Sequence, residues 1–331
     1  MSAKYSRIIS TGSALPAARI TNEDLARRLA ADGIETSDEW IRTRTGIEAR
    51  RFVNGTTETT TTLAAAAAQK ALEGGGVDPK TIDLIIVATT TPDQVFPSTA
   101  AAVQRLIGAV GCAAFDVQAV CAGFIYALNA ADAMLRAGPY QRALVIGAET
   151  MSRVIDMKDR ATCVLFGDGA GAVVLEASAK PGILAARMYA DGSYDENVLG
   201  LTARIDHGEL CGRPYINMDG RQVFKLAVDG LTSSAQEVAV FAGVDPQDVD
   251  VYIPHQANLR IMTMVAKKLG IPDERMIKTV SEQGNTSAAS VPLALDEAVR
   301  SGKISDGSLV LLQAVGAGMA WGSAIVRWRS E

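Results

Sequence analysis

A thiol, an imidazole and an amide stand at comparable points along this 331-residue chain. Cys121 lies in "VQAVCAGFIYAL", where a strand-like run gives way to a helix-like one. His255 lies in "YIPHQANLRIMTMVAKKLG" and Asn285 in "QGNTSAASVPLALDEAVR". Each stands where a strand ends or a helix is about to begin. A helix N-terminus carries partial positive charge and free N–H groups, which favour a thiolate. Position alone leaves Cys121 open between a nucleophile and a small buried apolar residue. A lone histidine is often structural, and the Ser and Thr beside Asn285 suit a helix cap. Together, a thiolate and two hydrogen-bond donors fit acyl chemistry, in which sulfur attacks a thioester and the donors polarise a carbonyl. The glycine-rich "AVGAGMAWGSAIV" is by itself a hairpin turn. Beside Cys121 its N–H groups would complete an oxyanion hole.

The elements that must position these groups alternate in type, which predicts an α/β fold. "TIDLIIVAT" reads as a strand leading into the helix-like "STAAAVQRLIG". "AAFDVQAV" leads into "GFIYALNAADAMLRAG", stopped by Gly138-Pro139. "ALVIGAE" is a strand again, and "FGDGAGAVVLEAS" reads as two strands around a glycine-rich turn. The order then repeats. "IDLIIV" aligns with "VDVYIP", "ADAMLRAG" with "LDEAVRSG", "ALVIGA" with "SLVLLQA", and "GDGAGAVVL" with "GAGMAWGSAIV". This predicts an N-terminal half over residues 1–178 carrying Cys121 and a C-terminal half over 236–331 carrying His255 and Asn285. Between them, residues 179–235 read as insertion loops plus one helix, "GRQVFKLAVDGLTSSAQEV". In this alignment His255 falls opposite Ala88, at the strand end that faces a ligand crevice in α/β sheets.

Bulk properties narrow the function classes. A formal net charge of -5 argues against a general nucleic-acid binder, so an acidic partner would need a local basic patch. No apolar run is long enough for a membrane span. The opening "MSAKYSRIISTGSALP" lacks a charged-then-apolar leader pattern, which predicts a cytoplasmic protein. The four cysteines (Cys112, Cys121, Cys163, Cys211) form no CxxC, and with His207 and His255 they offer no zinc spacing. No GxxxxGK[ST] is present, and no metal or cofactor is expected.

Seven stretches in register carry a family resemblance. "DVQAVCAGFIYAL", "PHQANLRI", "GNTSAASVPLALDEA", "GAGMAWGSA", "TSDEWIRTRTGI", "VATTTPDQVFPSTAAAVQ" and "FGDGAGAVVL" resemble 3-oxoacyl-(acyl-carrier-protein) synthase III, the initiating ketosynthase of bacterial fatty acid synthesis, from about residue 7 to 328. The resemblance implies a thiolase-like fold of five layers, αβαβα, and a homodimer. It implies that Cys121 takes an acyl group from acyl-CoA, which is a substrate. His255 and Asn285 would bind the malonyl thioester of an acyl carrier protein and stabilise the enolate left by CO2. The N–H groups of Cys121 and Ala317 would hold the oxyanion.

The same resemblance implies a CoA site from Trp40, Arg44, Arg160, Asn258 and Arg260, with adenine sandwiched between Trp40 and Arg160. Phe96 would cross the dimer interface to shape the acyl pocket. Arg260, Lys267 and Lys268 share one helix face, and with Lys225 and Arg221 they would form a docking patch for the acidic carrier protein. Val120, Gln283 and Val315 depart from residues many members carry, and Val120 and Val315 bear on the pocket wall and primer length. Four rivals are weighed: a sister ketosynthase with a longer primer or malonyl-CoA, a hydroxymethylglutaryl-CoA synthase, a non-catalytic scaffold subunit and a papain-type hydrolase. The second needs an added glutamate base, which "VATTTPDQVFPS" lacks. The third predicts a lost nucleophile, and the fourth a cysteine near the N-terminus of a secreted chain.

Overall fold

The computed structural model describes residues 5–329. Strands β1 (Tyr5–Ala14), β2 (Leu84–Ala88), β3 (Ala113–Val117), β4 (Arg142–Thr150) and β5 (Asp168–Ser178) form one sheet in the order β1-β5-β4-β2-β3. Strands β6 (Ile183–Ala190), β7 (Val251–Pro254), β8 (Leu309–Gly316) and β9 (Ala320–Arg327) form a second in the order β7-β8-β9-β6. In both, a parallel pair is followed by an antiparallel strand: β2 with β4 then β5, and β7 with β8 then β9. The matching strands keep one spacing, 167 residues (84 to 251 and 142 to 309). Met276 bridges Tyr252 in parallel, in the place that β3 holds beside β2, so the fifth strand of the second sheet is reduced to one bridge.

Seven helices matter here: α1 (Asp38–Thr45), α2 (Thr60–Gly75), α3 (Thr99–Ile107), α4 (Gly123–Ala137), α5 (Gly220–Ala242), α6 (Leu259–Leu269) and α7 (Ser290–Arg300). Helices α2 and α3 cover the outer face of the first sheet, α4 and α7 lie between the sheets, and α5 and α6 cover the second. These are the five expected layers. The run "LAAAAAQKAL" lets α2 lie almost on the strand beneath it: Ala64, Ala67, Ala68 and Ala71 are fully buried. A Cβ on Gly12 of β1 would stand 2.4 Å from Ala67 O. In the middle layer, α4 buries Phe124, Ile125, Leu128 and Leu135 without exposure. Truncating such a side chain to Ala costs about 2–5 kcal/mol. The two aspartates aligned by the repeat are both buried and both bonded to β1: Ser6 Oγ donates to Asp132 and Thr11 Oγ1 to Asp296, each at 2.7 Å.

Two expectations are corrected. "FGDGAGAVVLEAS" holds one strand, β5, not two around a turn. Its glycines serve close packing: a Cβ on Gly171 would meet Leu293 N at 2.6 Å, so glycine lets the start of α7 rest on the strand. The glycine turn belongs to the second half alone, where β8 and β9 are joined by residues 317–319, while 151–167 join β4 to β5. The stretch 179–235 is also no simple insertion. It supplies β6, which pairs with β9, and most of α5, which runs through position 236 to Ala242. The tertiary partner of "ILAARMYA" lies well over a hundred residues away, which is why local pattern did not reveal it.

Candidate active site

Residues 120–122 make one tight turn between β3 and α4. Val120 opens it at φ 48, in the left-handed region that β-branched residues avoid. Such strain costs on the order of 1–3 kcal/mol and persists only where packing over-determines it. Here Gly316 supplies the packing: a Cβ on it would sit 2.8 Å from both Ala119 O and Cys121 N. The turn after β8 therefore presses against the cysteine. Gly318 and Met319 both have positive φ (67 and 39), the mark of a tight hairpin. No side chain caps α4, and the N–H groups of Ala122 and Gly123 close the turn on Ala119 O and Val120 O.

His255 follows β7 directly, and its N–H donates to Gln313 O at 2.7 Å. Its Nδ1 lies 2.5 Å from Ser290 Oγ, at the first position of α7. The Gln256 N–H also approaches Ser290 Oγ, at 3.5 Å. Ser290 can thus give its own proton to Nδ1, which leaves Nε2–H as the donor facing the cavity. Gln256 uses all its capacity: Nε2 donates to Pro254 O and Ile277 O, and Oε1 accepts from Thr279 N and Val280 N. It ties the His255 strand to the segment that carries Asn285. There the Ser287 N–H donates to Asn285 Oδ1 at 2.9 Å, so Nδ2 is the end left for a ligand. Ser287, like Val120, has positive φ (50).

Cys121, His255, Asn285 and Ala317 line one cavity of about 1080 Å³, together with Val120 and Val315. Burial pushes the Cys121 thiol up to about 12; a Ser287 hydrogen bond opposes this and the charge of Glu149 adds to it. Burial thus opposes the thiolate that a helix N-terminus favours. Burial also drives His255 down to about 3, so its imidazole is neutral at pH 7 and acts as a hydrogen-bond donor without charge. Sequence reasoning missed Glu149, Ser287, Ser290 and Gln256. The motif quoted around Asn285 contained both serines, but only the fold shows what they touch. Among the described residues, no group of three or more His, Cys, Asp or Glu is placed to hold a metal ion.

The outer residues are only partly gathered. Trp40 and Arg44 are on α1, and both Arg44 and Arg160 stack on the Trp40 ring, at 4.6 and 4.5 Å. Arg160 thus already occupies a face of the indole, and a flat base must part that stack to be sandwiched. Asn258 lines the cavity, but its side chain caps α6 and donates to Arg44 O. Phe96 does not line this chain's cavity; it is 83% exposed. Helices α5 and α6 lie side by side, with Arg260 over the Phe224 ring at 6.0 Å. Arg221, Lys225 and Arg260 are exposed near the cavity mouth, which Gly220, Val223 and Phe224 help line. Lys267 and Lys268 lie about 10–12 Å further along α6. Lys268 pairs with Asp229 at 3.2 Å and lines a separate groove with Asp245 and Asp248, so the expected patch is split.

Two family models match the chain. The model for the C-terminal region of 3-oxoacyl-(acyl-carrier-protein) synthase III matches residues 240–328, and that for the synthase III matches residues 115–192. The chain is 48% identical to the crystal structure of 3-oxoacyl-(acyl-carrier-protein) synthase III from Aquifex aeolicus, covering 98% of this chain and 100% of that one at a TM-score of 0.90. The chain belongs to the 3-oxoacyl-(acyl-carrier-protein) synthase III family. Members of the synthase III family are condensing acyltransferases with the thiolase-like fold seen here. The Thermus thermophilus structure is 41% identical, covering 97% and 99% of the two chains, with a TM-score of 0.89. Similarity also extends to the priming β-ketosynthase of the R1128 polyketide pathway: 37% identity, 98% and 97% coverage, TM-score 0.92.

Proposed function

We propose that the enzyme joins an acyl group from acyl-CoA, acetyl-CoA first among candidates, to malonyl-acyl carrier protein and so initiates fatty acid synthesis. The carrying observation is one cavity that presents a cysteine at a helix N-terminus, a neutral histidine and an oriented amide. The Cys121 sulfur attacks the thioester carbonyl, and the oxyanion meets the N–H groups of Cys121 and Ala317. The bond to the CoA sulfur breaks, and the thiol proton leaves with CoA. The malonyl thioester carbonyl then meets His255 Nε2–H and Asn285 Nδ2–H. Loss of CO2 leaves an enolate, whose carbon attacks the acyl-Cys121 carbonyl. The 3-oxoacyl product departs and the cysteine thiolate takes a proton from solvent. Because decarboxylation makes the carbon nucleophile, no strong base is needed.

Four further elements belong to the same proposal. Trp40, Arg44, Arg160, Asn258 and Arg260 meet CoA, and the site lies in a cytoplasmic enzyme. Arg221, Lys225 and Arg260 receive the acidic carrier, with Lys267 and Lys268 more remote. Homodimerisation is supported by β3, a sheet edge, and by the exposed Val95, Phe96, Leu106 and Val110 near it. A longer primer in secondary metabolism is the second reading, favoured by the polyketide relative and by Val120 and Val315 in the wall. Intact-protein mass spectrometry after a mixture of acyl-CoAs decides: one acetyl group on Cys121 supports the first, a longer acyl group the second. An unmodified cysteine overturns both.

A further inference from the structure

Glu149 has no task in the reaction above, yet it is fully buried near the end of β4 and bonded to two parts of the site. On one side is the segment 89–91. The hydroxyls of Thr89 (3.3 Å), Thr90 (2.9 Å) and Thr91 (2.5 Å) donate to its carboxyl, as do the N–H groups of Thr90 and Thr91, both at 3.1 Å. On the other side the Ser287 hydroxyl donates to it at 3.0 Å. Thr90 and Thr91 line the cavity, whereas Glu149 and Ser287 do not. Burial raises the Glu149 pKa against the pull of its donors. Four of the six donors are hydroxyls, which can accept as well as donate, so these contacts survive in either protonation state.

Ser287 needs such a hold. Its φ of 50 is uncommon for a residue with a side chain and persists only where the surroundings over-determine it. Strand β4 grips the turn at two points. A Cβ on Gly147 would sit 2.2 Å from Ala288 O, and two residues on, Glu149 takes the Ser287 hydroxyl. Ser287 in turn governs Asn285. The Asn285 backbone is fixed elsewhere: its N–H donates to Leu165 O at 2.8 Å, and its carbonyl accepts from Gly167 N–H at 3.0 Å. Its side chain, among the described residues, is held by the Ser287 N–H on Oδ1 at 2.9 Å. The backbone bonds set where Asn285 lies, and the Ser287 N–H sets where its amide points. We infer that Glu149 is a positioning residue that acts through Ser287 to aim the Asn285 amide, and so serves condensation and not acylation. The 89–91 wall has other anchors: Thr150 N–H donates to Thr91 Oγ1 at 2.8 Å, and the Thr60 hydroxyl to Thr91 O at 2.5 Å. The Cys121 turn is packed by Gly316.

The inference rests on the reading that Asn285 serves the second step. Its test is a pair of single-turnover rates from intact-protein mass spectrometry: acylation of Cys121 by acetyl-CoA, then discharge by malonyl-acyl carrier protein. Glu149→Ala should slow discharge about tenfold or more and leave acylation within about threefold of the parent. Equal loss at both steps marks a general disturbance of the site and overturns the inference. Glu149→Gln should recover most of the discharge rate. Its amide oxygen can meet the two N–H groups that reach Oε2, and its amide nitrogen can donate to the Ser287 and Thr90 hydroxyls. A Gln variant as slow as the Ala variant would show that the contact is not the cause. Adding Ser287→Ala to Glu149→Ala should change discharge by no more than about twofold, because both break one chain of bonds, and independent losses would contradict that chain. Asn285→Ala separates the two failures. If it discharges as fast as the parent, the reading of Asn285 falls and the inference with it; if it is slow while Glu149→Ala is not, the inference alone falls. If a melting curve shows that Glu149→Ala does not fold, Ser287→Ala decides. It should slow discharge more than acylation, and discharge at the parent's rate overturns the inference equally.

Discussion

The two halves of the molecule build the same turn and use it differently. Residues 120–122 and 287–289 each precede a helix of the middle layer, and each opens on a side chain at positive φ, Val120 at 48 and Ser287 at 50. In the first, the next residue is Cys121, facing the cavity. In the second it is Ala288, pressed against the sheet where a Cβ on Gly147 would sit 2.2 Å from its carbonyl. The strand ends repeat the exchange. Glu149 and Gly316 hold the same place in β4 and β8, and each contacts the turn of the other half: Glu149 bonds Ser287 and Gly316 abuts Cys121. In the proposed reaction one turn carries the nucleophile; the other orients Asn285 through Ser287, and its helix begins with Ser290 on His255. Duplication thus supplied one backbone device, and side chains divided the labour.

The sharpest way to break this comparison is to strip each turn of its working group. Cys121→Ala should lower condensation on the order of 10⁴-fold or more, because the covalent route is gone. Activity near the parent's in a steady-state assay would put the chemistry elsewhere. Asn285→Ala should lower condensation by about 10²–10³-fold while Cys121 still acylates, since it removes one donor from the second step alone. Equal loss of both steps in single-turnover measurements would mean that the second turn serves the first step too.

Packing offers a finer test. Gly316→Ala forces a Cβ against the Cys121 N–H, so acylation should fall about tenfold or more through a displaced oxyanion hole. Gly147→Ala meets the carbonyl of Ala288, and should cost roughly 1–3 kcal/mol in stability, read from denaturant unfolding. Ser290→Ala should slow condensation roughly tenfold, the loss of one hydrogen bond that sets the His255 proton. A further test is pH. His255 is held near 3 in the fold against 6.5 unfolded, so between those values the unfolded chain binds the extra proton. Stability should therefore rise with pH from about 3 to 6.5, and His255→Gln should flatten that slope in acid melting curves.

Much of this was legible in sequence where spacing carried the information. The repeat, the α/β alternation and the three strand-to-helix junctions are local patterns, and the structure places Cys121, His255 and Asn285 on one cavity. Other features depend on distant partners. β6 shows as a sheet strand only through β9, and the glycines of β5 read as a turn until α7 is laid on them. Lys268 looked basic on its helix, yet Asp229 on the neighbouring helix answers it. Glu149 was invisible for the same reason: its six donors come from residues 89–91 and from Ser287. The setting of a buried carboxyl or of a thiol is a property of an environment, which one stretch of chain does not contain.

The division between the two turns is tested most directly by intact-protein mass spectrometry of the Asn285→Ala variant, first with acetyl-CoA and then with malonyl-acyl carrier protein. The predicted result is one acyl group on Cys121 that persists after the second addition, where the parent enzyme discharges it. A variant that takes up no acyl group, or that discharges it as fast as the parent, would contradict the account.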